Sequence, residues 1–250
     1  MAKKIHYMLA LASFLGAGLS GLSASTANAE GTVEDEALTT LNAQFETTQC
    51  ALPCKKAVKH AWWMWRTLEK VELRKAQSAN SELWQLQPDK TINYAFLMHD
   101  EKKLIEYSDV DLKMLNQAMD AKKWEALTKL VTQKELDGMQ KKALKKQYQG
   151  LSLTQYDGQL NGVETHITWV PALQIPLTMR YVYPKHQVTM TLLSHNAPQA
   201  ALTATTEQTL LGYDRIDYTD IGDMEHAASA KMWLSKATDA PGLNSHQHHH

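Results

Sequence analysis

The strongest constraint on the fold is a change of hydrophobic period along the chain, from two to the helical value of about 3.6 and back to two. Between His60 and Tyr107 the pattern is strand-like in short runs, the first aromatic and apolar on both faces and Val71 to Arg74 alternating with period two. The runs are Trp62-Trp63-Met64-Trp65-Arg66-Thr67, Val71-Glu72-Leu73-Arg74, Leu83-Trp84-Gln85-Leu86 and Leu104-Ile105-Glu106-Tyr107. Within the same stretch Ile92, Tyr94, Phe96 and Met98 interleave with Asn93, Ala95, Leu97 and His99. Polar breaks fall at 68–70, 78–80, 88–90 and 100–102. Alternation punctuated this way predicts an antiparallel meander. A helix over 62–75 is the competing reading, because Trp62, Trp65 and Glu69 also suit a helical period.

From Ser108 the helical period takes over. Ser108 can cap a helix whose first turn holds Asp109 and Asp111. Leu112, Leu115 and Met119 then share one face, and Trp124, Leu127, Leu130 and Val131 make a second stripe. Thr132-Gln133-Lys134-Glu135 is a capping box for a third, short helix with Leu136 and Met139. The cluster Lys141, Lys142, Lys145 and Lys146 reads as a solvated helix face. Near Gln147 the period returns to two. Leu151 and Leu153 alternate, Tyr156-Asp157-Gly158 reads as a turn, and Asn161-Gly162 is a hairpin signal flanked by strand residues. Val163, Thr165, Ile167 and Trp169 face one way. Leu173 to Pro176 connects to a strand with Met179, Tyr181 and Tyr183, and after Pro184-Lys185-His186 the residues Val188, Met190 and Leu192 run back.

Strands, then helices, then strands predict an α+β fold: a curved antiparallel β-sheet, an open half-barrel, with helices packed on the concave side. Residues 195–209 read as a loop, and a helix is expected from about Glu225 to Ala237. The expected organisation is a signal peptide at 1–29, an N-terminal segment at 30–59 that is polar and then briefly helical, a single domain at 60–238, and a disordered histidine-rich tail at 239–250.

The first 29 residues read as an export signal. Lys3 and Lys4 precede an apolar run from Met8 to Leu22, and Ser23 to Ala29 ends in the small-x-small pattern cut by signal peptidase. Cleavage after Ala29 implies a periplasmic, soluble protein. The run is short for a membrane span and carries glycines and serines. Removing it takes away two lysines and no acid, moving the formal charge from −1 to −3. That balance excludes the strong basic excess of a nucleic-acid binder. The two cysteines, Cys50 and Cys54, lie in the exported part, where nearby thiols tend to pair. A local disulfide is the simplest reading; a redox pair or a soft-metal site is the alternative.

The stretch from Gln147 to Leu193 carries a family resemblance. A hairpin over Tyr156 to Val170, the connector Leu173-Gln174-Ile175-Pro176-Leu177 and two further strands resemble the later strands of the periplasmic lipoprotein-carrier (LolA/LolB-like) half-barrels. The insert at 108–140 would then plug the concave face. The segment Tyr218 to Glu225 is also similar to one in uncharacterised proteobacterial periplasmic proteins. The resemblance covers about two thirds of the exported chain and rests on pattern rather than on any functional motif.

No nucleophile elbow, phosphate loop or zinc-protease motif occurs in the sequence. The leading expectation is a non-catalytic binding or carrier protein for an apolar ligand or a lipoprotein, lined by Trp63, Trp65, Trp84, Phe96, Met98, Trp169 and Tyr181. The alternative is copper or zinc binding by Cys50, Cys54 and the tail residues His246, His248, His249 and His250, whose imidazoles suit those ions. An unrecognised hydrolase or redox enzyme ranks last. Asp220, Asp223 and Glu225 beside His226 read as helix-capping acids, His99-Asp100-Glu101 as a polar turn, and His166 as an exposed strand residue.

Overall fold

The structure, a computed structural model, describes residues 38–117, 119–197, 202–223, 230–233 and 235. Two meanders share one sheet. The first holds β1 (Leu41–Ala51), β2 (Ala57–Arg66), β3 (Lys70–Lys75), β4 (Asn80–Leu86), β5 (Ile92–Met98) and β6 (Lys103–Tyr107). The second holds β7 (Gln140–Tyr148), β8 (Leu151–Leu160), β9 (Val163–Val170), β10 (Ile175–Val182) and β11 (His186–His195). Between them lie α1 (Asp109–Met114), α2 (Ala121–Lys129) and α3 (Gln133–Asp137). After the second meander come α4 (Glu207–Leu210), β12 (Asp214–Asp217) and α5 (Tyr218–Asp223).

Among the described residues the sheet has 12 strands in the order β12-β6-β5-β4-β3-β2-β1-β11-β10-β9-β8-β7. Its two ends, β7 and β12, do not pair, so the half-barrel stays open. The seam between the meanders is β1. It pairs antiparallel with β2 on one side and β11 on the other, setting Phe45 opposite both Trp62 and Leu192. This corrects the expected helical stretch before residue 48. Leu41, Ala43 and Phe45 alternate with polar neighbours and are fully buried, which is a strand's pattern. The antiparallel expectation holds except at the end, where β12 pairs parallel with β6.

Two further expectations are corrected. The lysine cluster at 141–146 lies on the edge strand β7, not on a helix. Exposed lysines on an edge keep foreign strands from adding to it. Residues 156–158 do not turn; β8 runs through them, and Gly158 leaves room for Met139, whose Cγ lies 3.0 Å from where a Cβ would sit. The turn comes at Asn161-Gly162, both at positive φ (51° and 78°), joining β8 to β9 as a tight hairpin.

The helices form where local chemistry directs them. Ser108 and Asp111 make a reciprocal capping box for α1, Asp120 caps α2, and Thr132 with Glu135 boxes α3. Leu112, Leu127, Val131, Leu136 and Met139 turn inward and join one apolar core with the sheet residues Met64, Trp84, Tyr94, Phe96, Ile167 and Trp169. The opposite face of the first meander is buried as well. There Leu83, Leu97 and Leu104 pack against Leu210 of α4, with Ala95 and Tyr213 alongside.

Candidate functional site

The helix-covered face is the candidate site, and register decides which residues reach it. Met64, Leu73, Glu82, Phe96 and Ile105 lie side by side across β2 to β6, as do Arg66, Val71, Trp84, Tyr94 and Tyr107. Strand residues of one parity share a face. Of the expected ligand-lining residues, Trp84, Phe96, Met98 and Trp169 sit in this core, and Tyr181 packs against it half-buried. Trp63 and Trp65 do not. They belong to the other parity, stack on each other at 6.0 Å on the opposite face, and Trp65 carries the Arg74 guanidinium 5.4 Å above its ring.

One charged side chain ties the cover to the sheet. Arg66, at the end of β2, is 1 % exposed. Its Nη1 donates to the Thr128 carbonyl (2.6 Å) and the Gln174 carbonyl (3.3 Å), and its Nη2 to the Leu173 carbonyl (2.7 Å) and Thr39 Oγ1 (3.2 Å). Its Nε donates to the Thr39 carbonyl at 3.1 Å. Thr128 lies in the last turn of α2, where the helix dipole is negative. The guanidinium is thus balanced by oriented carbonyl groups. Burial lowers it to about 10, which leaves it charged at neutral pH.

Beneath α2 is a small polar island. Lys123 reaches inward, its ammonium 5.5 Å from the centre of the Trp84 ring. Burial lowers the Lys123 ammonium and the charge of buried Glu82 opposes that shift. Trp84 and Tyr94 face each other across β4 and β5 with ring centroids 4.2 Å apart. Burial pushes the Tyr94 hydroxyl well up, with Glu82 adding to the effect. The outer rim of the cover is apolar: Val110 and Met114 of α1 are 64 % and 75 % exposed.

The opposite face carries a separate polar set. Glu72, fully buried, accepts from the Thr205 amide (2.6 Å), from Thr205 Oγ1 (2.8 Å) and from Arg74 Nη2 (2.7 Å), strapping the segment before α4 onto β3. Ser81 Oγ lies 2.8 Å from His99 Nε2, and His99 Nδ1 lies 2.7 Å from the Tyr213 hydroxyl. His99 is therefore a link in a bonded chain rather than a free turn residue. Burial, with help from Arg74, lowers it to about 4 and keeps the ring neutral. Ser81 is 2 % exposed, so the pair offers no open nucleophile. Glu101 accepts from Trp233 Nε1 at 2.8 Å. His166 is held between Asp157 (2.6 Å) and Glu164 (3.1 Å), and its hydrogen bond lowers the Asp157 carboxyl.

Cys50 and Cys54 form a disulfide beside the β1–β2 turn. This removes the thiols from the expected metal site, because only the thiolate is a soft-metal ligand. The tail histidines 246 and 248–250 lie outside the described residues, as do Glu225, His226 and most of the expected 225–237 helix, of which 230–233 and 235 are helical. Asp220 lies in the first turn of α5. No group of three or more His, Cys, Asp or Glu placed to hold a metal occurs among the described residues.

Sequence reasoning missed Arg66, Glu72, Glu82 and Lys123. Arg66 and Glu82 left a trace: each sits in phase with an apolar series, Trp62-Met64 and Trp84-Leu86, where a charge must find a buried partner. Lys123 left none, since its partner lies on a distant strand.

No helix among the described residues is long and apolar enough to cross a membrane. No protein-family model matches the sequence, and no curated protein matches it significantly. Solved structures do resemble the fold. PNGF-II is 8 % identical with a TM-score of 0.38 over 74 % of this chain and 32 % of its own, so this chain spans about a third of that protein. An outer membrane lipoprotein-sorting protein domain from Vibrio parahaemolyticus is 8 % identical (TM-score 0.29; 71 % of this chain, 93 % of that one). MucB is 9 % identical (TM-score 0.34; 70 % and 57 %). At these scores and identities the likeness carries no functional weight.

Proposed function

We propose that this protein is a non-catalytic periplasmic carrier that holds an apolar ligand, the acyl chain of a lipid or of a lipoprotein, between the sheet and its helical cover. The observation that supports this is the Arg66 latch. An apolar sheet face carrying Trp84, Phe96, Met98 and Trp169 is covered by three helices of 6, 9 and 5 residues, and α2 is tied to the sheet by a hydrogen bond from the Arg66 side chain. Helices this short have little stability of their own, so their position depends on tertiary contacts. A cover held by a few polar bonds over an aromatic floor can open and exchange its own inward leucines for a ligand's methylenes. Export by the segment at 1–29, with cleavage after Ala29, belongs to the same reading, as do the boundaries 30–59, 60–238 and 239–250.

The test is titration of the exported chain with a fluorescent fatty acid. Saturable binding with a shift in tryptophan emission is expected, because Trp84 and Trp169 line the covered face. Absence of both would remove the carrier reading.

A further inference from the structure

The polar island under α2 says which part of a ligand would be recognised there. Trp84 is 0 % exposed and Tyr94 2 %, yet among the described residues neither the Trp84 indole N–H nor the Tyr94 hydroxyl has a hydrogen-bond partner. Folded proteins seldom leave buried donors unmatched, because water must be stripped from them with nothing in return. Two such donors, on adjacent rings whose centroids lie 4.2 Å apart and on one face, therefore call for an acceptor. Around them Phe96, Ile105, Leu112 and Leu127 are hydrocarbon, and the polar neighbours Glu82 and Tyr107, though buried on the same face, bond to neither donor.

The charges nearby select the kind of acceptor. Lys123 lies over the Trp84 ring, and the charge of Glu82 acts on both Lys123 and the Tyr94 hydroxyl. The two charges offset each other. A free carboxylate entering the site would be drawn by Lys123 and repelled by Glu82, with its own desolvation uncompensated. A neutral carbonyl takes both hydrogen bonds without that cost. We propose that Trp84 and Tyr94 form a subsite for the carbonyl oxygen of an acyl ester, with the attached chain running along Phe96 and Met98 beneath α2. The proposal rests on the carrier reading and adds to it a head-group requirement that an apolar groove alone does not impose.

The test separates the two. Methyl dodecanoate and its ether analogue 1-methoxydodecane share a chain and differ in the carbonyl. Each is titrated against protein loaded with a naphthylamine fluorophore, alongside sodium dodecanoate. The ester should displace the fluorophore about tenfold more tightly than the ether or the carboxylate, since a donor site left unmatched penalises the wrong ligand. Tyr94→Phe should bring ester affinity close to that of the ether and leave ether affinity unchanged. Its thermal midpoint should not fall, because the change removes only an unmatched hydroxyl. Equal binding of ester and ether, or unchanged ester affinity in Tyr94→Phe, would overturn the subsite and leave the carrier reading standing. If none of the three probes displaces the fluorophore, both readings fall.

Discussion

Arg66 Nη1 donates to the carbonyl of Thr128 at 2.6 Å, joining the end of β2 to the last turn of α2 across 62 residues of sequence. The bond is buried and charge-assisted, the class of hydrogen bond that contributes most.

Replacing Arg66 with methionine keeps the volume and leaves the Thr128 and Leu173 carbonyls without their donor. The expected loss is about 2–4 kcal/mol of unfolding free energy. It should be read most clearly as faster amide exchange in residues 121–137 than in β8 and β9. Exchange that rises equally in all strands and helices would show that Arg66 braces the whole core rather than latching the cover. Lysine should not rescue, since it lacks the planar fork that reaches four partner residues at once.

His99 makes stability depend on pH. Its ordinary value of 6.5 falls to about 4 in the folded protein, by burial first and by Arg74 second, with Glu72 and Asp100 opposing. The unfolded chain therefore takes up the proton first as pH falls. The contribution is full above pH 6.5, declines between 6.5 and about 4, and is absent below. Because the ring is only half-buried, the effect should be about 1–3 kcal/mol after solvent screening. Urea midpoints at pH 4.5 and 7 should differ more in the wild type than in His99→Asn. Identical pH profiles in the two would refute the assignment.

The disulfide should matter little for the covered face. It closes a loop with a sequence separation of 4, at the exposed tip of the β1–β2 hairpin. Removal by Cys50→Ser with Cys54→Ser should cost about 2 kcal/mol. Ligand titrations of the double variant should match the wild type. A loss of binding would tie the hairpin tip to the site.

The lysines of β7 are expected to act on association rather than stability. Changing Lys142, Lys145 and Lys146 together to threonine keeps β propensity and removes the edge charge. Unfolding free energy should change by about 0.5 kcal/mol or less. Sedimentation should nonetheless show concentration-dependent association as the bare edge recruits a second copy. A variant no larger in solution than the wild type would argue against edge protection.

Local signals in the sequence were read correctly where one side chain answers to its near neighbours. Ser108 and Thr132 cap helices with backbone and acids three residues away, and Asn161-Gly162 turns because those two residues tolerate positive φ. The period-two runs at 92–98 and 163–170 are strands because alternate residues meet one core. Where two environments compete, local reading failed. The lysines of 140–148 suit a helix face by composition, and only pairing with β8 makes them an edge. Trp63 and Trp65 looked interchangeable with Trp84, but register puts them on the opposite face.

By itself the sequence determined two antiparallel meanders, a capped helical insert between them and a pair of cysteines close enough to join. The tertiary structure alone decided that β1 pairs with β11, across about 140 residues, and so makes one sheet of the two. It also decided which face the insert covers and which carbonyl groups Arg66 donates to. Those outcomes depend on contacts between residues far apart in the chain, each formed only after the cost of closing a long loop has been met, and no local periodicity encodes that choice.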